Sequence, residues 1–142
     1  MDKIVLDTNS LIQCIPSRSP YHQIWSSFFD GRNQLCVSTE ILVEYEEILE
    51  RLTDIETANM VIELIINNPS TLFVTPYYKF QLIHADPDDN KFIDCAVCAG
   101  AKFIITEDRH FDVVKQCDFP RIEIVRLDDY MKFMEANRKH SS

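Results

Sequence analysis

The sequence predicts an α/β fold, a three-layer α/β/α sandwich around a central, mainly parallel sheet. Short apolar runs alternate along the chain with longer amphipathic segments, which is typical of βαβ units. Two of the apolar runs, 4–6 and 103–105, are followed closely by the acidic residues Asp7 and Asp108. Ligands of open parallel sheets bind beyond the carboxyl ends of the strands. We therefore expect a ligand site at that edge of the sheet.

The first half of the chain is predicted to contain three strands and four helices. In order they are strand 3–6, helices 9–14 and 21–29, strand 35–38, helices 40–52 and 54–66, and strand 72–75. Pro16 and Gly31 follow the first two helices, and Ser38 or Thr39 supplies the N-cap of the third. Pro76 ends the third strand, and the segment 77–83 is ambiguous between helix and extended chain.

The second half of the chain is predicted to contain two strands and three helices. In order they are a helix that starts in the polar stretch 86–90 and ends at Ala99, strand 102–105, helix 112–116, edge strand 122–125 and helix 127–138. Pro87 is typical of a helix start, and Gly100 is typical of a C-cap. The polar segment 135–142 is expected to fray.

Length and composition favour a single domain over residues 1–142. The chain is 46% apolar and has only two glycines and six prolines, so it contains no low-complexity linker. No apolar stretch approaches the roughly 20 residues needed to cross a bilayer, and the start lacks the layout of a signal peptide. We expect a cytoplasmic protein that does not associate with membranes.

The cysteines and histidines do not form a recognisable metal or disulfide pattern. Five cysteines are an odd set, and Cys95 and Cys98 form a CxxC inside an apolar helical stretch rather than at an exposed helix start. Packing is therefore the favoured role of this pair over redox or zinc chemistry. The four histidines show no ligand spacing such as HExxH, so histidine metal chemistry is not expected.

Four carboxylates fall where the predicted fold could bring them together. Asp7 and Asp108 follow strands, Glu44 lies about one turn into the third helix, and Asp89 opens the helix before the Asp108 strand. Each has an ordinary alternative role as a cap, a turn residue or part of a solvated helix face. Four converging carboxylates repel unless a cation binds them, and oxygen ligands favour Mg²⁺ or Mn²⁺. The joint pattern thus favours a metal site.

The net charge of −9 argues against a nucleic-acid function, because phosphate binding relies on lysine and arginine. Bound divalent ions would reverse the local field at an acidic site. Basic residues could also line one rim of it, namely Arg18, Lys79, Lys91, Arg109, Lys115, Arg121 and Arg126.

Four segments in order resemble the PIN-domain family, and in particular its branch of VapC-like toxin components of toxin–antitoxin modules. They are IVLDTN at 4–9, STEILVEY at 38–45, DPDDNKF at 86–92 with the following Ala96, and IITEDRHF at 104–111. The resemblance spans about residues 3–126. One departure is Glu107, which stands where the family commonly has a small residue and adds charge beside Asp108.

The resemblance implies a divalent-metal-dependent ribonuclease that cleaves single-stranded RNA with Mg²⁺ or Mn²⁺. The implied catalytic residues are Asp7, Glu44, Asp89 and Asp108, with Asp7, Asp89 and Asp108 as metal ligands and Asn9, Thr106, Asp94 and Asp112 in support. Asp86, Asp88 and Asp94 compete for the third position, and Asp89 is favoured because it lies seven residues before Ala96. Glu44 would either bind a second ion or orient the attacking water.

The resemblance also implies partners, namely a cognate antitoxin and a second copy in a homodimer. The aromatic residues Tyr21, Trp25, Phe28 and Phe29 could form such an interface, although an aromatic stripe at helical spacing is more often core. The alternative function is an inactive or weakly active PIN-like scaffold. A response-regulator receiver and a haloacid-dehalogenase phosphatase are disfavoured, because the lysine and aspartates that they need are missing at the matching positions.

Overall fold

A five-stranded sheet forms the centre of the protein, for which a computed structural model describes residues 2–83, 87–116 and 122–140. The strands are β1 (Asp2–Leu6), β2 (Asn33–Val37), β3 (Thr71–Phe73), β4 (Phe103–Ile105) and β5 (Glu123–Val125). Their order across the sheet is β3-β2-β1-β4-β5, and all four pairings are parallel. The predicted α/β architecture is confirmed, with β5 at an edge as expected.

Helices cover both faces of the central strands. The evidence is that consecutive residues of one strand are all buried. Ile4, Val5 and Leu6 are buried in β1, and the three residues of β4 are buried as well. Successive side chains of a strand point to opposite faces, so such a run needs a layer on each side. The sheet therefore presents its carboxyl edge, rather than a face, to solvent.

Six α-helices and two 3-10 helices connect the strands within the described residues. The α-helices are α1 (Thr8–Cys14), α2 (His22–Phe29), α3 (Thr39–Leu52), α4 (Ile55–Asn67), α5 (Asn90–Ala99) and α6 (Leu127–His140). Asp7, Ser38 and Asp54 cap α1, α3 and α4 by accepting a backbone hydrogen bond. Gly100 ends α5 with a φ of +68°, which a glycine adopts without steric cost.

The structure departs from the predicted elements at two places. The segment 77–83, which was ambiguous between helix and extended chain, is irregular. The helix predicted over 112–116 is a 3-10 helix over Arg109–Gln116. Phe111 and Val114 are both buried, and residues three apart lie on the same side of a 3-10 helix.

The core contains most of the aromatic and cysteine side chains whose role the sequence did not decide. Trp25 and Phe28 are buried, as the core interpretation predicts, whereas Phe29 is 41% exposed. The cysteines of the described part, Cys14, Cys36, Cys95 and Cys98, are free thiols, and Cys98 is exposed rather than packed in the core. His84, Asp86, Cys117 and Arg121 lie outside the described residues. No helix of the described residues is long and apolar enough to cross a membrane.

Candidate active site

The carboxyl ends of β1 and β4 bring Asp7 and Thr106 side by side. Leu6 and Ile105 are partners in the parallel ladder, and the Asp7 amide donates to the Ile105 carbonyl at 3.2 Å. The Thr106 hydroxyl, which is fully buried, donates a hydrogen bond to Oδ2 of Asp7. It also accepts one from the Asp108 backbone amide at 3.0 Å. Thr106 thus links the two acids that follow these neighbouring strands.

Asp7 is a buried carboxylate with several hydrogen bonds. It is 7% exposed, and its Oδ1 accepts from the Ser10 amide at 2.8 Å as the N-cap of α1. Burial raises the pKa of Asp7, the bonds from Thr106 and Ser10 oppose that rise, and the nearby charge of Asp108 adds to it. A cation beside Asp7 would therefore stabilise its ionised form.

Asp89, Asp108 and His110 form a compact group of potential ligands. One ligand atom from each lies within 4.8 Å of the other two. Oδ1 of Asp108 accepts from the His110 backbone amide at 2.9 Å and lies 3.3 Å from Nδ1 of the His110 ring. Asp89 reaches this group from the 3-10 helix Pro87–Asp89, directly before α5.

These donors fit the ion that the fold family implies. Carboxylate oxygens are the ligands that Mg²⁺ and Mn²⁺ prefer, and one imidazole nitrogen is compatible with Mn²⁺. Two neighbouring ligands of an octahedral ion with bonds of about 2.1 Å lie roughly 3 Å apart. The 3.3 Å between Asp108 and His110 is close to that separation.

Each of the two carboxylate oxygens of Glu44 has a polar partner. Its Oε2 accepts from the Thr8 hydroxyl, and its Oε1 lies 2.7 Å from Nζ of Lys91. Lys91 also lies 2.9 Å from Oδ2 of Asp88 and is only 9% exposed. Burial opposes the charged form of Lys91, but its bonds with Glu44 and Asp88 raise its pKa overall.

The position of α3 explains how Glu44 reaches this edge of the sheet. The Tyr45 hydroxyl donates to the Leu6 carbonyl at 2.5 Å, so the helix is fastened to the end of β1. Tyr45 is fully buried, and burial raises its pKa well above the usual value. Glu44, its neighbour in α3, is therefore placed against Thr8 at the start of α1.

The four predicted supporting residues differ in their relation to the acids. Thr106 bonds Asp7 directly, whereas Asn9 is exposed on α1. Asp94 is buried and accepts from the Phe80 amide at 3.0 Å, so it holds the irregular 77–83 segment. Asp112 pairs with Arg126 at 3.5 Å, and Arg126 donates to the Thr106 carbonyl at 3.1 Å. Asp94 and Asp112 are not part of the Asp89, Asp108 and His110 group.

Glu107 does not add its charge to the group in the way that the sequence suggested. Its Oε1 accepts from the Leu127 amide at 2.8 Å, which satisfies a free N–H at the start of α6. The carboxylate therefore faces the positive end of a helix dipole. Glu107 thus has a structural contact of its own beside Asp108.

Three of the basic residues that could line a rim of the site are paired with carboxylates. Lys91 is paired with Glu44 and Asp88, while Lys115 and Arg126 both lie 3.5 Å from Asp112. Lys79 and Lys91 line a cavity of about 120 Å³ together with Ser38, Thr39, Glu40, Val74, Thr75, Pro76 and Asp94. The two lysines of this groove therefore share it with two carboxylates, Glu40 and Asp94.

Sequence reasoning missed His110 and the Lys91–Glu44 pair. His110 follows Asp108 by two positions, and the bond from its amide to the Asp108 side chain is an Asx turn that turns the chain back on the carboxylate. That local signal was available, because an aspartate side chain commonly accepts a hydrogen bond from the backbone two residues later. The Lys91–Glu44 pair depends on the packing of α3 against α5, which has no local signal.

Comparison with known proteins gives one family match and several similar folds. The family model described as PIN domain matches residues 3–110. No curated protein matches the chain.

The similar solved structures include three VapBC structures, each with a TM-score of 0.61. The structure from Rickettsia felis, VapBC2 bound to a DNA fragment from its promoter, is 12% identical and covers 87% of this chain and 98% of that one. DNA-bound VapBC from Salmonella typhimurium is 22% identical, with 89% and 99% covered. VapBC-1 from nontypeable Haemophilus influenzae is 16% identical, with 89% and 98% covered. At these identities the likeness establishes the fold.

Proposed function

Because this chain belongs to the PIN domain family, we propose that it is a divalent-metal-dependent ribonuclease that cleaves phosphodiester bonds of single-stranded RNA. The observation that carries the proposal is the link through Thr106, which bonds Asp7 and the Asp108 backbone. Asp89 and His110 lie beside Asp108 at the same place. Several buried or half-buried carboxylates that converge at a sheet edge are costly without a cation.

The residues that would hold the ion are Asp7, Asp89 and Asp108, with His110 as an additional ligand. When bound, a divalent ion supplies an activated water and positive charge at the cleaved phosphate. Thr106 fixes the direction of the Asp7 carboxylate and of the turn that carries Asp108. Ser10 and the start of α1 hold the other Asp7 oxygen, so Asp7 is positioned before any ligand arrives.

The substrate would approach through the groove beside Lys79 and Lys91. This groove adjoins Glu44 through the Lys91 contact, and Pro76 and Lys79 also line it. Single strands bind in positively charged grooves because their backbone is accessible along its length.

We further propose that the protein is the toxin of a toxin–antitoxin module, acts in the cytoplasm, and binds a cognate antitoxin and a second copy of itself. Support comes from the VapBC folds that it resembles. Large apolar side chains are also exposed on α3 and α4, including Val43, Leu52, Ile55, Met60 and Leu64. Such a surface is typical of a protein–protein contact.

The test is cleavage of single-stranded and structured RNA by the purified chain with Mg²⁺, Mn²⁺ or a chelator. The expected result is cleavage of single strands that requires a divalent ion and stops with the chelator. Cleavage that persists in the chelator would contradict the proposal. Metal binding without cleavage of any RNA would favour the alternative, a PIN-like scaffold module.

A further inference from the structure

We propose that Tyr77 and Tyr78 are substrate-binding residues whose rings stack on the bases of a single-stranded RNA beside the acidic site. This inference rests on the proposed function and adds how the substrate is held. It gives the two rings a role that the charged groups of the site do not fill, since carboxylates and ammonium groups do not stack on bases.

The exposure of the two tyrosines carries the first step. Among the described residues they are the most exposed of the large hydrophobic side chains, at 89% and 79%, and Ile55 follows at 64%. Single exposed apolar side chains are ordinary, but two consecutive exposed rings form a continuous aromatic surface. A tyrosine ring combines a flat apolar face with a polar hydroxyl, which suits a binding surface that is wet when empty.

The backbone on either side of the tyrosines carries the second step. Before them, the Val74 amide donates to β2 at 2.9 Å. After them, the Phe80 amide donates to Asp94 at 3.0 Å, and the side chain of Asn90 bonds both the amide and the carbonyl of Ile83. The segment that carries the rings is therefore fixed at both ends, so binding does not require it to be ordered first.

The position of this segment carries the third step. All strand pairings are parallel, so the carboxyl ends of β3 and β1 lie at the same edge of the sheet. Only β2 separates them, and neighbouring strands are about 4.8 Å apart, which puts the two ends roughly 10 Å apart. Tyr77 follows the last residue of β3 by four positions, and Asp7 follows β1 directly. A strand of a few nucleotides covers such a distance.

The charges beside the tyrosines carry the fourth step. Lys79 is exposed and lines the groove with Lys91, but Glu40 and Asp94 line the same groove, and the chain has a net charge of −9. Phosphate contacts alone therefore give limited attraction. Stacking on aromatic rings does not depend on net charge, and rings next to basic residues are typical of proteins that bind single strands.

The experiment measures binding of a short single-stranded RNA oligonucleotide by fluorescence anisotropy, in a chelator that prevents cleavage. The double variant Tyr77→Leu, Tyr78→Leu keeps apolar bulk but loses the flat rings, and we expect its affinity to fall by about fivefold or more. The double variant Tyr77→Phe, Tyr78→Phe keeps the rings and should bind within about twofold of the wild type. Phe29→Leu is the matched control, because it removes another exposed ring that lines a different cavity, with Met60 and Leu64. It should bind as the wild type does.

An abasic oligonucleotide separates stacking from a structural role of the tyrosines. It keeps the sugar and phosphate groups, so its contacts with lysines are retained, but it has no bases. We expect it to bind the wild type and the leucine double variant with equal, weak affinity. A leucine double variant that loses the same factor on both oligonucleotides would overturn the inference. Wild-type affinity of that variant for the intact oligonucleotide would overturn it as well.

Sedimentation of the same proteins tests whether the rings instead contact a second copy of the chain. We expect the leucine double variant to keep the oligomeric state of the wild type. A variant that changes its oligomeric state and binds the intact oligonucleotide like the wild type would assign the tyrosines to a protein contact and overturn the inference.

The outcomes also separate this inference from the proposed function. Wild-type cleavage of RNA together with undiminished RNA binding by the leucine double variant overturns the inference and leaves the nuclease intact. A wild-type chain that binds bases through the tyrosines but cleaves no RNA with either ion supports the inference and contradicts the nuclease. A wild-type chain that neither binds nor cleaves RNA overturns both.

Discussion

The Thr106 hydroxyl donates a hydrogen bond to the Asp7 carboxylate, although the two residues are 99 positions apart in the chain. The contact exists because β1 and β4 are adjacent and end at the same edge of the sheet. The same hydroxyl accepts from the Asp108 amide, so one buried oxygen fixes two acidic residues. The pairing of β1 with β4 therefore places Asp7 beside Thr106 and beside the turn that carries Asp108.

Asp7→Asn is expected to abolish RNA cleavage while leaving the fold intact. Asparagine caps helices as well as aspartate does, so α1 should keep its start, but the negative charge for the ion is lost. Cleavage rate and circular dichroism measure the two effects. Asp54→Asn is the matched control, because Asp54 caps α4 in the same way, away from the described acids of the site. An Asp7→Asn variant that cleaves RNA at the wild-type rate would refute the assignment.

Asp7→Asn should also stabilise the metal-free protein at neutral pH. Burial raises the pKa of Asp7 in the folded state, so ionisation of Asp7 destabilises folding once the pH exceeds the ordinary carboxyl pKa. This cost is fully present above the raised pKa and disappears as the pH falls towards the ordinary value. We therefore expect the melting-temperature advantage of Asp7→Asn in chelator to be larger at pH 7 than at pH 4. A lower melting temperature than wild type at pH 7 would speak against a destabilising charge at Asp7.

Thr106→Val is expected to weaken metal binding by roughly 10- to 100-fold, the range found when a group that orients a ligand is removed. Valine fills the same buried space but neither donates to Asp7 nor accepts from the Asp108 amide. Thr106→Ser retains the hydroxyl and should bind metal almost as the wild type does. Calorimetric titration with Mn²⁺ compares the three proteins. Equal affinities for Thr106→Val and wild type would contradict the role of the hydroxyl.

His110→Gln should lower the affinity for Mn²⁺ by about tenfold and affect Mg²⁺ less. A ring nitrogen of His110 lies within 4.8 Å of a carboxylate oxygen of Asp89 and of Asp108, and nitrogen ligands favour Mn²⁺ over Mg²⁺. Competition between the two ions, followed by the resonance signal of free Mn²⁺, measures the preference. If the ratio of the two affinities stays the same, His110 is a neighbour of the site and not a ligand.

Glu107→Ala is expected to destabilise the protein by about 1 kcal/mol without slowing cleavage. The change removes the acceptor for the Leu127 amide at the start of α6 and leaves the group of acids unchanged. Urea denaturation measures the free energy of unfolding. A large loss of activity at unchanged stability would place Glu107 in the active site instead.

The strands and the acidic edge could be predicted from the sequence because both follow from local patterns. Short apolar runs such as 103–105 are buried on both faces, and parallel strands end at one edge of the sheet, which places Asp7 near Asp108. Strand bounds shifted by one or two residues at most, as with β2, which begins at Asn33 instead of residue 35.

The partners of these acids could not be predicted, because they depend on how the elements pack. Lys91 reaches Glu44 only where α5 lies beside α3, and Arg126 reaches Asp112 across the end of β5. The sequence allowed a rim of basic residues, and the folded chain pairs three of them, Lys91, Lys115 and Arg126, with carboxylates. The irregular segment 77–83 is likewise held by side chains of α5, because Asp94 accepts from the Phe80 amide, and Asn90 accepts from the Ile83 amide and donates to the Ile83 carbonyl.

The strand order determines when the site can form during translation. β1 lies between β2 and β4, and β4 leaves the ribosome about a hundred residues after β1. Pairing of such distant strands is slow, and it cannot begin until the later one has emerged. Asp7 meets Thr106 and Asp108 only after that step, so a nascent chain carries no assembled centre. An enzyme that degrades RNA would thereby remain inert beside the message that encodes it.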